Sequence, residues 1–211
     1  HDLRTPMTRL RGTAEMSLQA PAKADQYKDS LVTCVEESDR ILTLLNSIMD
    51  VSEAETGTMR LKLETVNLTK LIRETVELYQ YVAEDKDIVV SMDCSEDIQL
   101  TADFIRMRQV IANLLDNAIK YNRIGGRILI SAGVEGHQAV ISVRDTGIGI
   151  PAEETPEIWD RLYRGDKSRS QPGLGLGLSV VRAIVHAHKG DVEVNSEPGV
   201  GSDFTIRLPG V

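Results

Sequence analysis

The chain has 211 residues, of which 41% are hydrophobic and 27% charged, with 24 Lys and Arg against 32 Asp and Glu for a formal net charge of −8. That length holds one large domain or two small ones, and the balance of apolar and charged residues excludes wholesale disorder. The acidic balance gives no support to broad nucleic-acid binding, Cys34 and Cys94 make neither a disulfide scaffold nor a metal cluster, and no apolar run approaches the ~18 residues of a membrane span.

Aromatics make up only 4% of the chain, so its core must be built from Leu, Ile, Val, Ala and Met. Residues 1–53 read as helical. Along 25–53, a step of fours and threes picks out Tyr27, Leu31, Cys34, Ser38, Ile41, Leu45, Ile48 and Ser52, with Leu42 and Met49 widening the stripe. That is a heptad seam, the pattern of a helix packed in a bundle. Leu3, Met7, Leu10 and Ala14 repeat it in a first helix. Ala20-Pro21-Ala22-Lys23-Ala24-Asp25 separates the two, with Asp25 as the expected N-cap. Thr5-Pro6 reads either as N-cap and N1 of a helix starting there or as a kink within a longer one. Two antiparallel helices bury too little to stand alone, so a homodimeric four-helix bundle is expected.

From about residue 60 the periodicity changes. Leu61, Leu63, Val66 and Leu68 suggest a strand, 69–83 a helix, and 88–92 and 99–102 short strands. A long helix follows over 104–120, then strands over 127–134 and 138–145 broken at Glu135-Gly136. Residues 147–175 form a long loop rich in Gly, Pro and charge. A helix over 176–189 and a hairpin of 191–196 with 202–208 complete the chain. The mixture predicts an α+β protein: a helical hairpin over 1–53, a linker over 54–60, and a two-layer α/β sandwich over 61–211. The opening His1-Asp2-Leu3, with no initiator methionine or signal pattern, reads as a piece cut from a longer chain.

The chemistry begins with glycines. Asp145-Thr146-Gly147-Ile148-Gly149-Ile150-Pro151 directly follows a strand, and Gly147-x-Gly149-x-x-Ala152 alone matches a dinucleotide fingerprint. That fingerprint requires a helix and a second parallel strand, yet Gly165-Asp166-Lys167-Ser168-Arg169-Ser170 is no strand, so the Rossmann reading fails. Gly173-Leu174-Gly175-Leu176-Gly177-Leu178 opens the helix at 176, and unobstructed N–H groups at a helix start suit a phosphate chain. On the long helix Asn113, Asn117 and Lys120 fall at i, i+4 and i+7, one face, with Tyr121 beside them. Alone, this could be an exposed polar stripe; with the glycines it suits a hydrated Mg²⁺ and phosphate oxygens. Arg161, Arg164, Lys167 and Arg169, with Asp166 the only acid among them, mark a loop that meets an anion.

Together these residues resemble the catalytic core of a sensor histidine kinase of a bacterial two-component system. His1-Asp2-Leu3-Arg4-Thr5-Pro6-Met7-Thr8 resembles the H box, and Asn113-Leu114-Leu115-Asp116-Asn117-Ala118-Ile119-Lys120-Tyr121 the N box. Asp145-x-Gly147-x-Gly149 resembles the G1 box. Ile158-Trp159-Asp160-Arg161-Leu162-Tyr163-Arg164 resembles the F box, and Gly173-x-Gly175-Leu176-Gly177-Leu178 the G2 box. The motifs stand in family order and span essentially the whole chain.

The resemblance implies a dimerising phosphotransfer hairpin followed by an ATP-binding domain of the gyrase, HSP90-type chaperone and histidine kinase clan. It makes the chain a phosphotransferase with a nitrogenous acceptor, using ATP and Mg²⁺. His1 would attack the γ-phosphorus, Asp2 would take the proton from the other ring nitrogen, and Thr5 would position water to hydrolyse the phosphorylated regulator. Asp145 would accept from the adenine amino group, with Gly147 and Gly149 letting the backbone pass the base. Asn117 with Asn113 would hold Mg²⁺. Lys120, Arg164 and Lys167 would neutralise phosphate charge, Tyr121 would flank the nucleotide, Gly173, Gly175, Leu176, Gly177 and Leu178 would bring helix-start N–H groups to the phosphate chain, and 150–175 would be the mobile lid. Clan members that hydrolyse ATP carry Glu where Asn113 stands, and an amide lacks the basicity to activate water. The implied partners are a second copy of the chain and the receiver domain of a response regulator, with no direct nucleic acid. The implied location is the cytoplasm, with membrane attachment only through segments upstream.

Asp2 stands where the family usually has Glu, which alters reach. Trp159 and Leu162 stand at the phenylalanine positions of the F box. A phosphoacceptor at the chain's first residue would also sit on a frayed end, an expectation of weak activity. Two other readings stay open on the sequence: a non-catalytic, nucleotide-switched module for dimerisation and regulator docking, and a resting state dominated by phosphatase activity through Thr5.

Overall fold

The computed structural model describes residues 4–19, 23–94, 97–165 and 175–210. The chain divides into two compact units, His1–Met49 and Asp50–Val211. The division falls inside a helix, a few residues before the boundary at 53 read from the sequence.

The first unit is a pair of helices, α1 (Arg4–Gln19) and α2 (Ala24–Glu55), the latter running on into the second unit. Pro6 lies within α1 and is buried. Asp25 is not the cap: α2 already includes Ala24, and the Gln26 side chain accepts from Lys23 N at 3.0 Å. The predicted single seam resolves into two. Positions 34, 37, 41, 44 and 48 are buried or half-buried, whereas Leu31, Val35, Leu42, Leu45 and Met49 are exposed. The inner seam faces α1, because Cys34 Sγ lies 3.8 Å from Leu10 O and Glu37, only 3% exposed, takes Arg9 at 3.0 Å and Arg40 at 3.2 Å.

The second unit begins with the last turn of α2, where the buried Asp50 carboxylate meets Arg106 at 2.6 Å and accepts from Gln109 Nε2 at 3.0 Å. Then follow β1 (Glu64–Asn67), α3 (Leu68–Glu84), β2 (Val89–Cys94), β3 (Gln99–Ala102) and α4 (Phe104–Lys120). The chain continues through β4 (Arg127–Glu135), β5 (Gln138–Asp145), a 3₁₀ turn at Glu157–Trp159, α5 (Gly177–Ala187), β6 (Asp191–Glu197) and β7 (Gly201–Pro209). The five-stranded sheet has the order β2-β4-β5-β7-β6; β2 runs parallel to β4 and the other neighbours are antiparallel. β1 and β3 form a separate antiparallel pair.

Alternation decides which side of the sheet is covered. Ile128, Ile130, Ile141, Val143, Phe204, Ile206 and Leu208 turn one way into a core shared with α3, α4 and α5. Their neighbours turn the other way, where Arg144 meets Asp203 at 2.5 Å and Arg207 pairs with Glu193. Each such side chain buried in the core contributes about 1.5–3 kcal/mol. The unit is thus a two-layer α/β sandwich.

The helix starts are capped as helix chemistry requires. Asn67 Oδ1 accepts from Lys70 N at 2.9 Å, which starts α3 at Leu68 and trims the predicted strand to 64–67. Asp103 caps α4 by accepting from Arg106 N at 3.0 Å, and also accepts from Lys62 N at 2.8 Å. Burial pushes the Asp103 carboxyl up, but the N–H groups of Arg106, Lys62 and Ile105, with His188 nearby, outweigh it and hold the group below its ordinary value. His188 accepts the Asp103 N–H on Nε2 at 3.0 Å while Nδ1 stands 2.8 Å from Ile184 O, so the buried end of α5 fixes the start of α4.

Candidate functional site

The end of α4, the end of β5, the β6–β7 hairpin and the start of α5 converge at one end of the sheet. α4 buries Leu114, Leu115, Ala118 and Ile119 and turns the half-buried Asn113, Asn117 and Lys120 toward this end. The first turn of α5 comes up against the two amides: a β-carbon at Gly177 would lie 3.7 Å from Asn117 Nδ2 and 3.8 Å from Asn113 Oδ1. Leu176 offers α5 no side-chain cap, and N–H groups at a helix start suit an anion. Two amides beside this helix start, with an ammonium one turn away, are donors that suit a polyanion. Lys120 Nζ rests 4.8 Å from the Tyr121 ring centroid, which holds the cation at its rim.

The second wall is the loop 145–150. Asp145 closes β5 only 9% exposed, and its carboxylate accepts from Gly147 N at 2.7 Å and from the N–H of Ser202. Burial pushes the carboxyl above its ordinary value and Asp203 adds to the rise, while the two N–H bonds oppose it. Gly147 has no room for a side chain, since a β-carbon would stand 2.4 Å from Tyr121 O, the same carbonyl that accepts from Ile148 N at 3.0 Å. Gly149 is left-handed at φ 67° and would place a β-carbon 2.0 Å from Glu197 O. Thr146 Oγ1 accepts from Arg127 N at 2.9 Å and pairs with Asn122 Oδ1 at 3.3 Å. The β6–β7 hairpin braces the far side, with Gly199 N donating to Ile148 O at 2.8 Å and Ile150 N to Ser196 Oγ at 2.8 Å.

Beyond Ile150 the chain is fastened locally as far as residue 165. Ile158 is buried, and Trp159 meets Phe204 edge-on at 6.1 Å. The Tyr163 phenol is pushed up to about 12 by burial and by the carboxylates of Glu157 and Glu154. Leu162 N donates to Gly175 O at 3.0 Å, which ties this stretch to the residues just before α5; Gly175, at φ 68°, brings its backbone against Tyr163 O.

Comparison with known proteins decides what this arrangement is. Residues 102–211 match the family of histidine kinase-, DNA gyrase B- and HSP90-like ATPases, and residues 1–57 match the His Kinase A phospho-acceptor domain. The chain belongs to the histidine kinases of this ATPase family. It is 34% identical to sensor histidine kinase YclK of Bacillus subtilis (strain 168) over 99% of this chain and 45% of YclK. To sensor protein IrlS of Burkholderia pseudomallei (strain K96243) it is 31% identical over the same shares. Full-length ShkA in complex with AMPPNP superposes with a TM-score of 0.79 at 28% identity, covering 100% of this chain and 44% of ShkA. The chain therefore spans under half the length of these curated relatives.

Placed in the structure, the histidine kinase motifs separate into groups. Asn113, Asn117 and Gly177 come together, and Tyr121, Asp145, Gly147 and Gly149 come together. Arg164 lies against Gly175, its Cγ 3.1 Å from where a β-carbon would stand. Leu176 is buried and Leu178 packs against the core, so both build the helix start rather than offer side chains to a ligand. Thr5 is exposed on α1. His1, Asp2, Lys167 and Gly173 lie outside the described residues. The sequence reading missed Asn122, Thr146, Ser196 and Ser202. The stretch from Glu197 to Gly201 signalled a turn, but nothing local signalled that its flanking serines support the loop at 145–150.

Proposed function

We propose that the chain transfers the γ-phosphoryl group of ATP to His1 and passes it on to an aspartate of a response regulator. The observation that carries this reading is the approach of Gly177, at the uncapped start of α5, to Asn113 and Asn117. An amide at 113 supplies no base for water, so the site favours holding the triphosphate over hydrolysing it. In the transfer, a ring nitrogen of His1 bonds to the γ-phosphorus as the bond to the bridging oxygen of ADP breaks. The proton on the other ring nitrogen passes to Asp2. Lys120, Arg164 and Lys167 balance phosphate charge, Tyr121 flanks the nucleotide, and the ionised Asp145 accepts from the adenine amino group. Thr5, four residues after His1 in the sequence, serves the reverse task of dephosphorylating the regulator.

Mg²⁺ fits the donor set. Among the described residues no group of three His, Cys, Asp or Glu is placed to hold a metal by itself. Two amide side chains beside a phosphate site suit an ion that keeps its water and shares phosphate oxygens, and Asn117 with Asn113 would hold it there. Bound, the ion neutralises phosphate charge.

The exposed seam of Leu31, Val35, Leu42, Leu45 and Met49 supports a homodimeric four-helix bundle. On this reading 1–53 is the dimerisation and phosphotransfer domain, 54–60 the linker and 61–211 the ATP-binding domain. No helix among the described residues is long and apolar enough to cross a membrane. We place the chain on the cytoplasmic side of a protein anchored in the bacterial inner membrane through segments outside this sequence.

Incubation with γ-labelled ATP and Mg²⁺ tests the reading. The expected label is acid-labile and base-stable, absent from His1→Gln, and transferable to a receiver domain. Saturable ATP binding without label would overturn kinase activity and leave a nucleotide-switched docking module.

A further inference from the structure

Ser196 sits on β6 opposite Ser202 of β7, at the end of the sheet where the loop 145–150 lies. Its hydroxyl has three neighbours: Ile150 N at 2.8 Å, Gly201 O at 2.9 Å and Ser202 Oγ at 2.9 Å. A hydroxyl has one proton and two lone pairs. Donating to Gly201 O while accepting from Ile150 N and from the Ser202 hydroxyl uses all of them. The side chain is therefore a saturated junction between the hairpin and the residue where the adenine loop gives way to the lid.

The junction reaches further than the lid. Ser202, held through its hydroxyl by Ser196, gives its backbone N–H to the Asp145 carboxylate. Gly201, held through its carbonyl, is the residue whose backbone lies against Asp145: a β-carbon there would stand 2.0 Å from Asp145 O. We infer that Ser196 is a positioning residue for base recognition, fixing the direction in which Asp145 presents its free lone pair by locking Ser202 and Gly201 behind it and Ile150 in front. The inference rests on the reading of 145–150 as the adenine loop.

The chemistry gives a readout that a merely structural role would not move. A carboxylate aimed at the exocyclic position rewards the amino group of adenine and faces the carbonyl oxygen of guanine with a second acceptor. Loosening its aim therefore weakens ATP and does not weaken GTP, which never gained from it. A fall in general site stability weakens both, because both carry the same ribose and triphosphate.

Affinities of the chain for Mg-ATP and Mg-GTP, measured by calorimetry, test this. Ser196→Ala is expected to weaken ATP by about tenfold, the loss of roughly one good hydrogen bond, with GTP not weakened. Ser196→Thr and Ser196→Val form a second pair with the same branched shape, both suited to a strand, differing in the hydroxyl. Threonine should retain ATP affinity and valine should lose it. Equal losses for ATP and GTP, or none in either alanine or valine, overturn the inference while leaving the nucleotide site standing. Failure of the unsubstituted chain to bind ATP overturns the nucleotide reading and the inference with it.

Discussion

The loop 145–150 is held from two sides within its own unit, by the Tyr121 carbonyl and Asn122 at the end of α4 and by Ser196, Gly199 and Ser202 of the hairpin. The helical unit does the opposite with its longest apolar stripe: Leu31 is 66% exposed and Leu45 43%. A site for a small molecule must be exact before the ligand arrives, because each bond left to chance costs affinity. A helix that serves protein partners can leave its surface unfinished, since a second chain completes it. The contrast shows in the glycines. Gly147, Gly149 and Gly201 are crowded by backbone, whereas Gly12 in α1 has nothing within 4 Å of where a β-carbon would be.

The sharpest break of this comparison is Gly147→Ala. A methyl group would have to enter 2.4 Å from Tyr121 O, a backbone atom, and 2.8 Å from Asp145 Oδ1, a carboxylate oxygen that accepts from Gly147 N itself. Either the loop shifts or α4 unwinds at its last turn, and Asp145 moves with the loop. ATP affinity should fall by more than about a hundredfold, which corresponds to about 2.7 kcal/mol. Circular dichroism should show the helical unit intact. Retained affinity would mean that the wall is pliable, and the distinction between the two units would lose its footing.

The pH dependence of binding sharpens the same point at smaller amplitude. Burial holds the Asp145 carboxyl above its ordinary value, and the ionised form accepts from an amino group more strongly than the protonated one. ATP affinity should therefore weaken as pH falls, beginning above the range near 3.9 where an ordinary aspartate titrates. The sign for stability is the reverse. An acid whose folded-state pKa is raised binds its proton more tightly when folded, so protonation of Asp145 does not destabilise the fold. Asp103 behaves oppositely: its value is lowered, so the stability it contributes is present at neutral pH and lost as pH falls through that lowered value. Titrations of ATP binding by the native chain and by Asp145→Asn should separate the two, with the acid-side loss flattened in the variant. An unchanged profile would place the titrating group elsewhere.

Much of the candidate site could be proposed from the sequence because its signals are local. Asn113, Asn117 and Lys120 repeat at helical spacing, and Gly147 and Gly149 follow a run that alternates like a strand. Ser196 and Ser202 carry no such signal. Their importance comes from register, which brings residue 196 opposite 202 and both beneath Ile150 and Asp145, and register is a property of pairing rather than of either strand. The helical seam was misread for a related reason. Glu37 looks like a surface acid, yet Arg9 reaches across from α1 and draws it into the inner seam, which moves the buried positions to 34, 37, 41, 44 and 48. Polar residues that pair across elements escape any pattern built on hydrophobic spacing.

The smallest predicted effect is the counterpart of the first. Glycine inside a helix costs roughly 0.5–1 kcal/mol relative to alanine, because the unfolded chain loses more freedom there. Within the chain Gly12 receives nothing in return, for no atom approaches where a methyl group would go. Gly12→Ala should therefore stabilise the helical unit by up to about 1 kcal/mol in thermal melts followed by helical ellipticity, with ATP affinity untouched. The same substitution that ruins the loop at 147 would then improve the helix at 12. A loss of stability instead would mean that another chain comes within a methyl group's width of α1 at this point. Gly12 would then have been kept for that approach, and the helical surface would be as closely specified as the nucleotide wall.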